Sequence, residues 1–207
     1  GMVTAPHHLA ARAGLRVMED GGNAIEAMIA AASTITVAYP HMNGLGGDNF
    51  WLIRAPGADV IAIDACGAAA TQADIAYFKS KGFDQIPSRG PLAALTVAGA
   101  VSGWQAALEV SIKDWGGTLP LKRLLEDAQF YAEDGVAVTD TQANNTRTKL
   151  PELVDAPGFS QTFLIDDAPP EAGAHFTQPR LAATLARLTE AGLDDFYRGD
   201  MARIIAA

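Results

Sequence analysis

The chain has 207 residues and carries 24 Asp and Glu against 15 Lys and Arg, a formal net charge of −9. Hydrophobic residues make up 49% and charged residues 19%, which excludes a disordered tail and leaves enough apolar surface for a core without staples. The acidic balance argues against non-specific nucleic-acid binding, and a lone cysteine, Cys66, excludes an internal disulfide framework and a four-cysteine zinc site.

Met2 to Ala5 reads as a short strand. Leu9 to Glu19 follows as a helix, because Leu9, Ala13 and Val17 recur every four residues. Asp20-Gly21-Gly22 stops it, and Asn23 caps the next helix, which runs to Tyr39 and is apolar on nearly every face. That stretch carries Glu26, Ser33, Thr34 and Thr36, so it reads as a central core helix and not as a membrane span. Met2 to Ala10 has no basic n-region and no long apolar run, so no secretory signal is read there.

After Pro40 comes a glycine-rich loop, His41 to Asp48. Phe50 to Ile53 and Val60 to Ile63 read as a hairpin turned at Pro56-Gly57. Helices are expected over Ala73–Lys81, Gly99–Lys113 and Leu119–Glu133, with a third strand over Gly90–Val97. Thr139 to Leu150 is polar and reads as a surface helix. Residues 152 to 171 read as a loop with one short strand at Thr162–Ile165. Pro179 to Ala191 is a helix with proline at its first position and Gly192 at its end, and another begins at Asp195 and runs to Ala207. The order predicts a helix-rich α+β fold whose three strands need partners from elsewhere.

Few residues announce chemistry by themselves. Gly44-Leu45-Gly46-Gly47-Asp48 lacks the third glycine of a dinucleotide fingerprint and carries an acid that repels phosphate, so it reads as a tight turn passing close to neighbouring backbone. His7, His8, His41 and His175 show no metal-ligand spacing, and His7 and His41 are expected to hydrogen-bond within their loops. Cys66 stands at a strand end, but no base can be paired with it, so an inert thiol is the default. Asp166-Asp167 and Asp194-Asp195 read as loop or capping residues, and Asn144-Asn145-Thr146 as a chance match to a glycosylation acceptor.

Taken in order, four pieces resemble one family. Gly21-Gly22-Asn23-Ala24 leads into an alanine-rich helix, then Pro40-His41 and Gly44-Leu45-Gly46-Gly47 precede Phe50. Val97-Ala98-Gly99-Ala100-Val101-Ser102-Gly103-Trp104, Phe176-Thr177-Gln178-Pro179-Arg180-Leu181-Ala182 and Phe196-Tyr197-Arg198-Gly199-Asp200 follow. The set looks like the amino-terminal part of the gamma-glutamyltranspeptidases.

The resemblance implies part of an Ntn-hydrolase αββα sandwich: residues 1–207 as a single domain, the helix-rich portion of the large subunit of a self-cleaving precursor. It implies a threonine nucleophile at the new amino terminus of the small subunit, outside this chain. The α-amine of that threonine would act as base, because its pKa lies near working pH. No catalytic residue falls in the chain, and no metal or organic cofactor is implied. The partners are a small-molecule amide substrate and the remainder of the precursor including the small subunit; neither nucleic acid nor membrane is among them.

One departure bears on specificity. The family has an L-D-x-R-E-x-A-P segment whose arginine clamps the substrate α-carboxylate, and here Ile63-Asp64-Ala65-Cys66-Gly67 puts Cys66 in that place. A thiol cannot replace a bidentate guanidinium. Altered acyl-side specificity is therefore expected, with Cys66 and Gly67 lining the acyl pocket and Arg54 or Arg89 as candidate substitute charges. The isolated chain is expected to be inactive, and its compartment stays open between cytoplasm and periplasm. A rival reading is a degenerate family member kept as a binding or scaffold domain. An independent small binding module is a third, and the uncapped apolar end Ile204-Ile205-Ala206-Ala207 speaks against it, since it reads as an interrupted helix.

Overall fold

A computed structural model gives the structure of residues 1–206. Helix α1 (His8–Glu19) and helix α2 (Ala24–Ala38) form a hairpin. The His7 Nδ1 atom caps α1 by accepting from the Leu9 N–H at 3.3 Å. Gly14 in α1 lies against the Ala27 carbonyl of α2, where a larger residue would push the two helices apart. Gly21, at φ 93°, turns the chain between them.

α2 begins with a capping box. Asn23 Oδ1 accepts from the N–H groups of Ile25 and Glu26, and Glu26 Oε2 accepts from the Asn23 N–H at 2.8 Å. Glu26 is 1% exposed, and its other oxygen accepts from the Leu119 N–H at 2.9 Å. Asn23 Nδ2 donates to Ser111 Oγ at 2.8 Å. The start of α2 is thereby tied to two segments far along the chain. α2 packs on α1, α4 (Ala100–Asp114) and α5 (Leu121–Asp134), which buries nearly all of its apolar faces.

β1 (Asn49–Ile53) and β2 (Ile61–Ala65) pair antiparallel in the register Asn49↔Ala65 to Ile53↔Ile61. Trp51, Ile53, Ile63 and Ala65 turn toward the core, and α4 lies against both strands. Phe50 and Leu52 are 66% and 81% exposed on the other face. Among the described residues neither strand has a further partner strand. The short helix α3 (Ile75–Ser80) follows.

The expected third strand over residues 90–97 is reduced to one bridge, Ala69↔Thr96, flanked by Val97 N–H donating to Ala68 O and Ala70 N–H donating to Leu95 O. What replaces it is a close backbone crossing. A Cβ on Gly67 would overlap the Val97 carbonyl, and a Cβ on Gly99 would overlap the Ala65 carbonyl. The chain thus crosses itself at a separation that admits no side chain at either glycine.

Beyond α5, β3 (Val136–Ala137) pairs with β4 (His175–Phe176), a small ladder with no signal in the sequence because each strand has two residues. Between them lie α6 (Asp140–Leu153), capped by Thr139 Oγ1, and α7 (Phe159–Phe163). α7 overturns the strand expected at Thr162–Ile165: Phe159 and Phe163 meet one helical turn apart with ring centroids at 5.5 Å. Asp166 and Asp167, at φ 49° and 60°, make the two-residue turn that closes the Ile165↔Ala168 bridge. Residues 2–5 are also not a strand.

α8 (Pro179–Ala191) packs on α5, and the Gln178 side chain before it donates to the Val37 carbonyl at 2.9 Å. The last helix is two, α9 (Asp195–Arg198) and α10 (Asp200–Ala206); its expected reach to Ala207 lies outside the described residues. The break at Gly199 has a cause. Asp195 lies over Gly199 and accepts from the N–H groups of Asp200 and Met201, so it caps α10, and Arg187 holds it bidentately at 2.8 and 3.0 Å.

Two stability predictions follow from these contacts. Gly67→Ala forces the crossing open and costs about 3 kcal/mol in denaturant unfolding of the full-length protein. Gly46→Ala, at a glycine with open space around it, costs about 0.5 kcal/mol or less; equal effects would contradict the crossing. Asp195 is lowered from 3.8 to about 2 by its Arg187 pair, with the Met201 and Asp200 N–H groups adding to it. Its contribution is therefore present above the ordinary carboxylate range and is lost as pH falls toward about 2. Asp195→Asn is expected to flatten that part of the acid-unfolding profile, and an unchanged profile would count against the assignment.

Candidate functional site

The end of β2 is where the sequence-expected residues meet. The β1–β2 register extends to set Asp48 opposite Cys66. Cys66 is exposed, its N–H donates to Asp64 Oδ1 at 3.0 Å, and its thiol pKa is raised by desolvation and then by the negative charges of Asp48 and Asp64. The thiol therefore stays protonated at neutral pH and lacks the thiolate character of a nucleophile. Gly67, next in the chain, is locked under Val97 by the crossing. The two residues expected to line a pocket thus form one rigid corner with an acidic neighbour on each side.

The glycine loop is a turn that passes close to neighbouring backbone, as expected. The approach does not itself demand glycine, since a Cβ at Gly44, Gly46 or Gly47 meets no clash and none has a positive φ. The Gly47 N–H donates to Gly44 O at 3.3 Å, and the Gly47 carbonyl accepts from the N–H groups of Gly99 and Ala100, both at 2.9 Å. Those donors stand at the start of α4, where a helix leaves its first N–H groups unpaired, so the loop supplies the cap that a phosphate would otherwise take. Tyr197 completes the arrangement from the opposite side: its hydroxyl donates to Ala98 O at 2.8 Å and accepts from the Ser102 N–H at 2.9 Å.

An open cavity of about 370 Å³ adjoins this corner between α2, the loop and α4. Asp48, Asn49 and Trp104 are on its wall, while Cys66 and Gly67 are not. Asn49 Oδ1 and Trp104 Nε1 are buried without a partner. Trp104 is 1% exposed and Gly103 beside it lies directly against Asn49 and Ala65, so α4 is pressed onto the hairpin.

The histidines do not gather into a metal site; among the described residues no group of three metal-ligating side chains exists. His41 stacks near Tyr39 with centroids at 4.2 Å, and neither of its ring nitrogens has a partner, which corrects the loop hydrogen bond expected of it. Burial lowers the pKa of both His7 and His41, and the charge of His8 adds to this at His7. Of the candidate substitute charges, Arg54 follows Ile53 at the far end of the hairpin from Cys66, roughly 20 Å away along the strand. Arg89 pairs with Glu152 of α6 at 2.7 Å. Neither replaces a guanidinium at Cys66. Asp48 went unnoticed as a neighbour of Cys66 because only the exact hairpin register reveals it.

No helix among the described residues is long and apolar enough to cross a membrane. The sequence model described as Gamma-glutamyltranspeptidase matches residues 10–207. The chain is 55% identical over 206 residues to the oxamate amidohydrolase proenzyme of Klebsiella pneumoniae, covering 100% of this chain and 39% of that protein. It is 36% identical to a glutathione hydrolase-like proenzyme of Bacillus subtilis, covering 100% of this chain and 38% of that protein. The fold superposes on gamma-glutamyltranspeptidase of Helicobacter pylori with a TM-score of 0.88 at 28% identity, over 99% of this chain and 58% of that one. The chain spans well under half the length of these two curated relatives, and it matches them and the solved fold along essentially its whole length. On that agreement along the whole chain, the chain belongs to the gamma-glutamyltranspeptidase family.

Proposed function

We propose that residues 1–207 are a single domain, the amino-terminal part of the large subunit of a self-cleaving amidohydrolase, and that its substrate is a small amide of the oxamate kind. The observation that carries this reading is the 55% identity, along the whole chain, to a proenzyme named for oxamate hydrolysis. The β2 corner agrees with it. A glutamyl α-carboxylate brought to Cys66 meets the carboxylates of Asp48 and Asp64 where the family offers a guanidinium. The corner therefore suits the uncharged acyl and amide atoms of a short substrate, which pack against the Cys66 thiol and the backbone at Gly67. Its anionic end is held by groups outside this chain.

The chemistry proposed is that of the family's threonine nucleophile, contributed by the rest of the precursor. Its hydroxyl attacks the amide carbonyl while its free α-amine takes the proton. The tetrahedral intermediate collapses, the proton passes to the leaving nitrogen, ammonia departs, and an ester to the threonine remains. Water then attacks the ester, releasing the acid and the free hydroxyl. What this chain contributes is position: the crossing at Gly67 and Gly99 holds the acyl corner still, and the glycine loop ties that corner to α4. The exposed face of Phe50 and Leu52 and the open space around Gly44 and Gly46 fit a surface that the remainder of the precursor covers.

The full-length protein is expected to cleave itself into two fragments, the smaller beginning with threonine, as read by mass spectrometry. It should release ammonia from oxamate with a kcat/KM at least about tenfold above that for a γ-glutamyl anilide, since a charge-assisted clamp is missing. The isolated 207 residues should turn over neither. An intact precursor, or equal turnover of the γ-glutamyl anilide, would sink the reading.

A further inference from the structure

A second region of the molecule has the opposite charge character from the β2 corner. Two cavities of about 310 and 500 Å³ lie side by side and share Pro40 and Phe163 in their walls. Together they form a groove between the loop after α2 and helices α6, α7 and α8. Volumes of this order suit an organic ligand and exceed the needs of a two-carbon acid. Acidic residues outnumber basic ones in this chain by 24 to 15, yet the groove is lined by Arg180, Arg89 and Lys149 and by no Asp or Glu.

The cations are set up to donate into it. Arg180 meets only the neutral Gln161 Oε1, at 3.1 Å, and among the described residues no carboxylate pairs with it. Arg89 contacts Glu152 through Nε at 2.7 Å, which leaves the Nη groups of its guanidinium to other acceptors. Lys149 contacts the same carboxylate at 2.8 Å. Glu152 does not line the groove; its half-exposed carboxylate is shared by the two cations and is kept charged, its pKa lowered by Lys149 and Arg89. Three cations against one shared acid leave the groove net positive. Phe163, Phe159 and Pro40 supply an apolar floor between the charged ends.

We propose that this groove binds an amphipathic organic carboxylate, its hydrocarbon body over Phe163 and Pro40 and its carboxylates on Arg180 at one end and Arg89 with Lys149 at the other. Neither Cys66 nor Gly67 lines the groove, which shares Thr36, Asn43 and Gly44 with the cavity beside the β2 corner. There Asp48 and Asp64 repel anions, whereas here no acid faces the ligand. A dicarboxylate satisfies both ends, and a neutral or cationic molecule of the same length satisfies neither.

The test is calorimetric titration of the full-length protein with suberate, and with its neutral diamide as a matched control. Saturable suberate binding is expected, with the diamide at least tenfold weaker. Arg180→Gln and Arg89→Gln should each weaken suberate by about tenfold or more, as loss of a charge-assisted contact implies. Raising the salt concentration should weaken suberate on the parent protein and leave the diamide unchanged, a readout that needs no variant to fold. Absence of suberate binding, as when another part of the protein fills the groove, would overturn the proposal. So would equal binding of the diamide or parent-like variants. Oxamate turnover measured on the same preparation reports on the acyl corner alone, so either reading can fail while the other stands.

Discussion

Two backbone segments pass each other in this chain with no room for a side chain, and the local arrangement of the functional corner depends on that crossing. Ala65 to Gly67 leaves β2 beneath Val97 to Gly99, and each side contributes one glycine where a Cβ would overlap a carbonyl. The crossing sets where α4 starts. The start of α4 in turn takes the Gly47 carbonyl as its cap and the Tyr197 hydroxyl as a strut. Three family segments, Gly44–Gly47, Val97–Trp104 and Phe196–Asp200, therefore meet within one small volume, with Cys66 exposed at its edge. Glycine is required at 67 and 99 for space, not for backbone freedom, since neither is among the positive-φ glycines.

The acidic net charge of the chain conceals two local fields of opposite sign. Desolvation and then the charges of Asp48 and Asp64 raise the Cys66 thiol pKa, and the two acids make the β2 corner inhospitable to a carboxylate. The groove beside α7 gathers Arg180, Arg89 and Lys149. Net charge says little about such contrasts, because they arise from hairpin register and helix packing. A thiol between two acids is the reverse of the guanidinium that the family resemblance implies at this place.

Local signals carried much of the fold. The α1–α2 hairpin was legible from Asp20-Gly21-Gly22-Asn23, because stop and cap chemistry acts over a few residues. The same holds for α8 with Pro179 and Gly192, and for the β1–β2 hairpin with its Pro56-Gly57 turn. Elements that depend on distant partners were not legible. Residues 90–97 have strand-like composition, yet their only ladder is one bridge to Ala69, set by the crossing. Thr162 to Ile165 reads as a strand, but the contact between Phe159 and Phe163 winds its start into α7. At the site, Cys66 and Gly67 could be picked out from motif order. Asp48 as a neighbour, and the tie from Gly47 to α4, needed the register and the long-range packing.

The proposed acyl site sets the carbonyl of a small amide against the thiol of Cys66 and the backbone of Gly67. A crystal structure of the full-length protein, with a slowly processed oxamate-type amide trapped in its site, tests this most directly. The prediction is that the amide carbonyl carbon lies within about 4 Å of Cys66 Sγ or the Gly67 backbone, with the carboxylate oxygens turned away from Asp48 and Asp64. An acyl group bound elsewhere, with Cys66 covered by protein, would contradict the account.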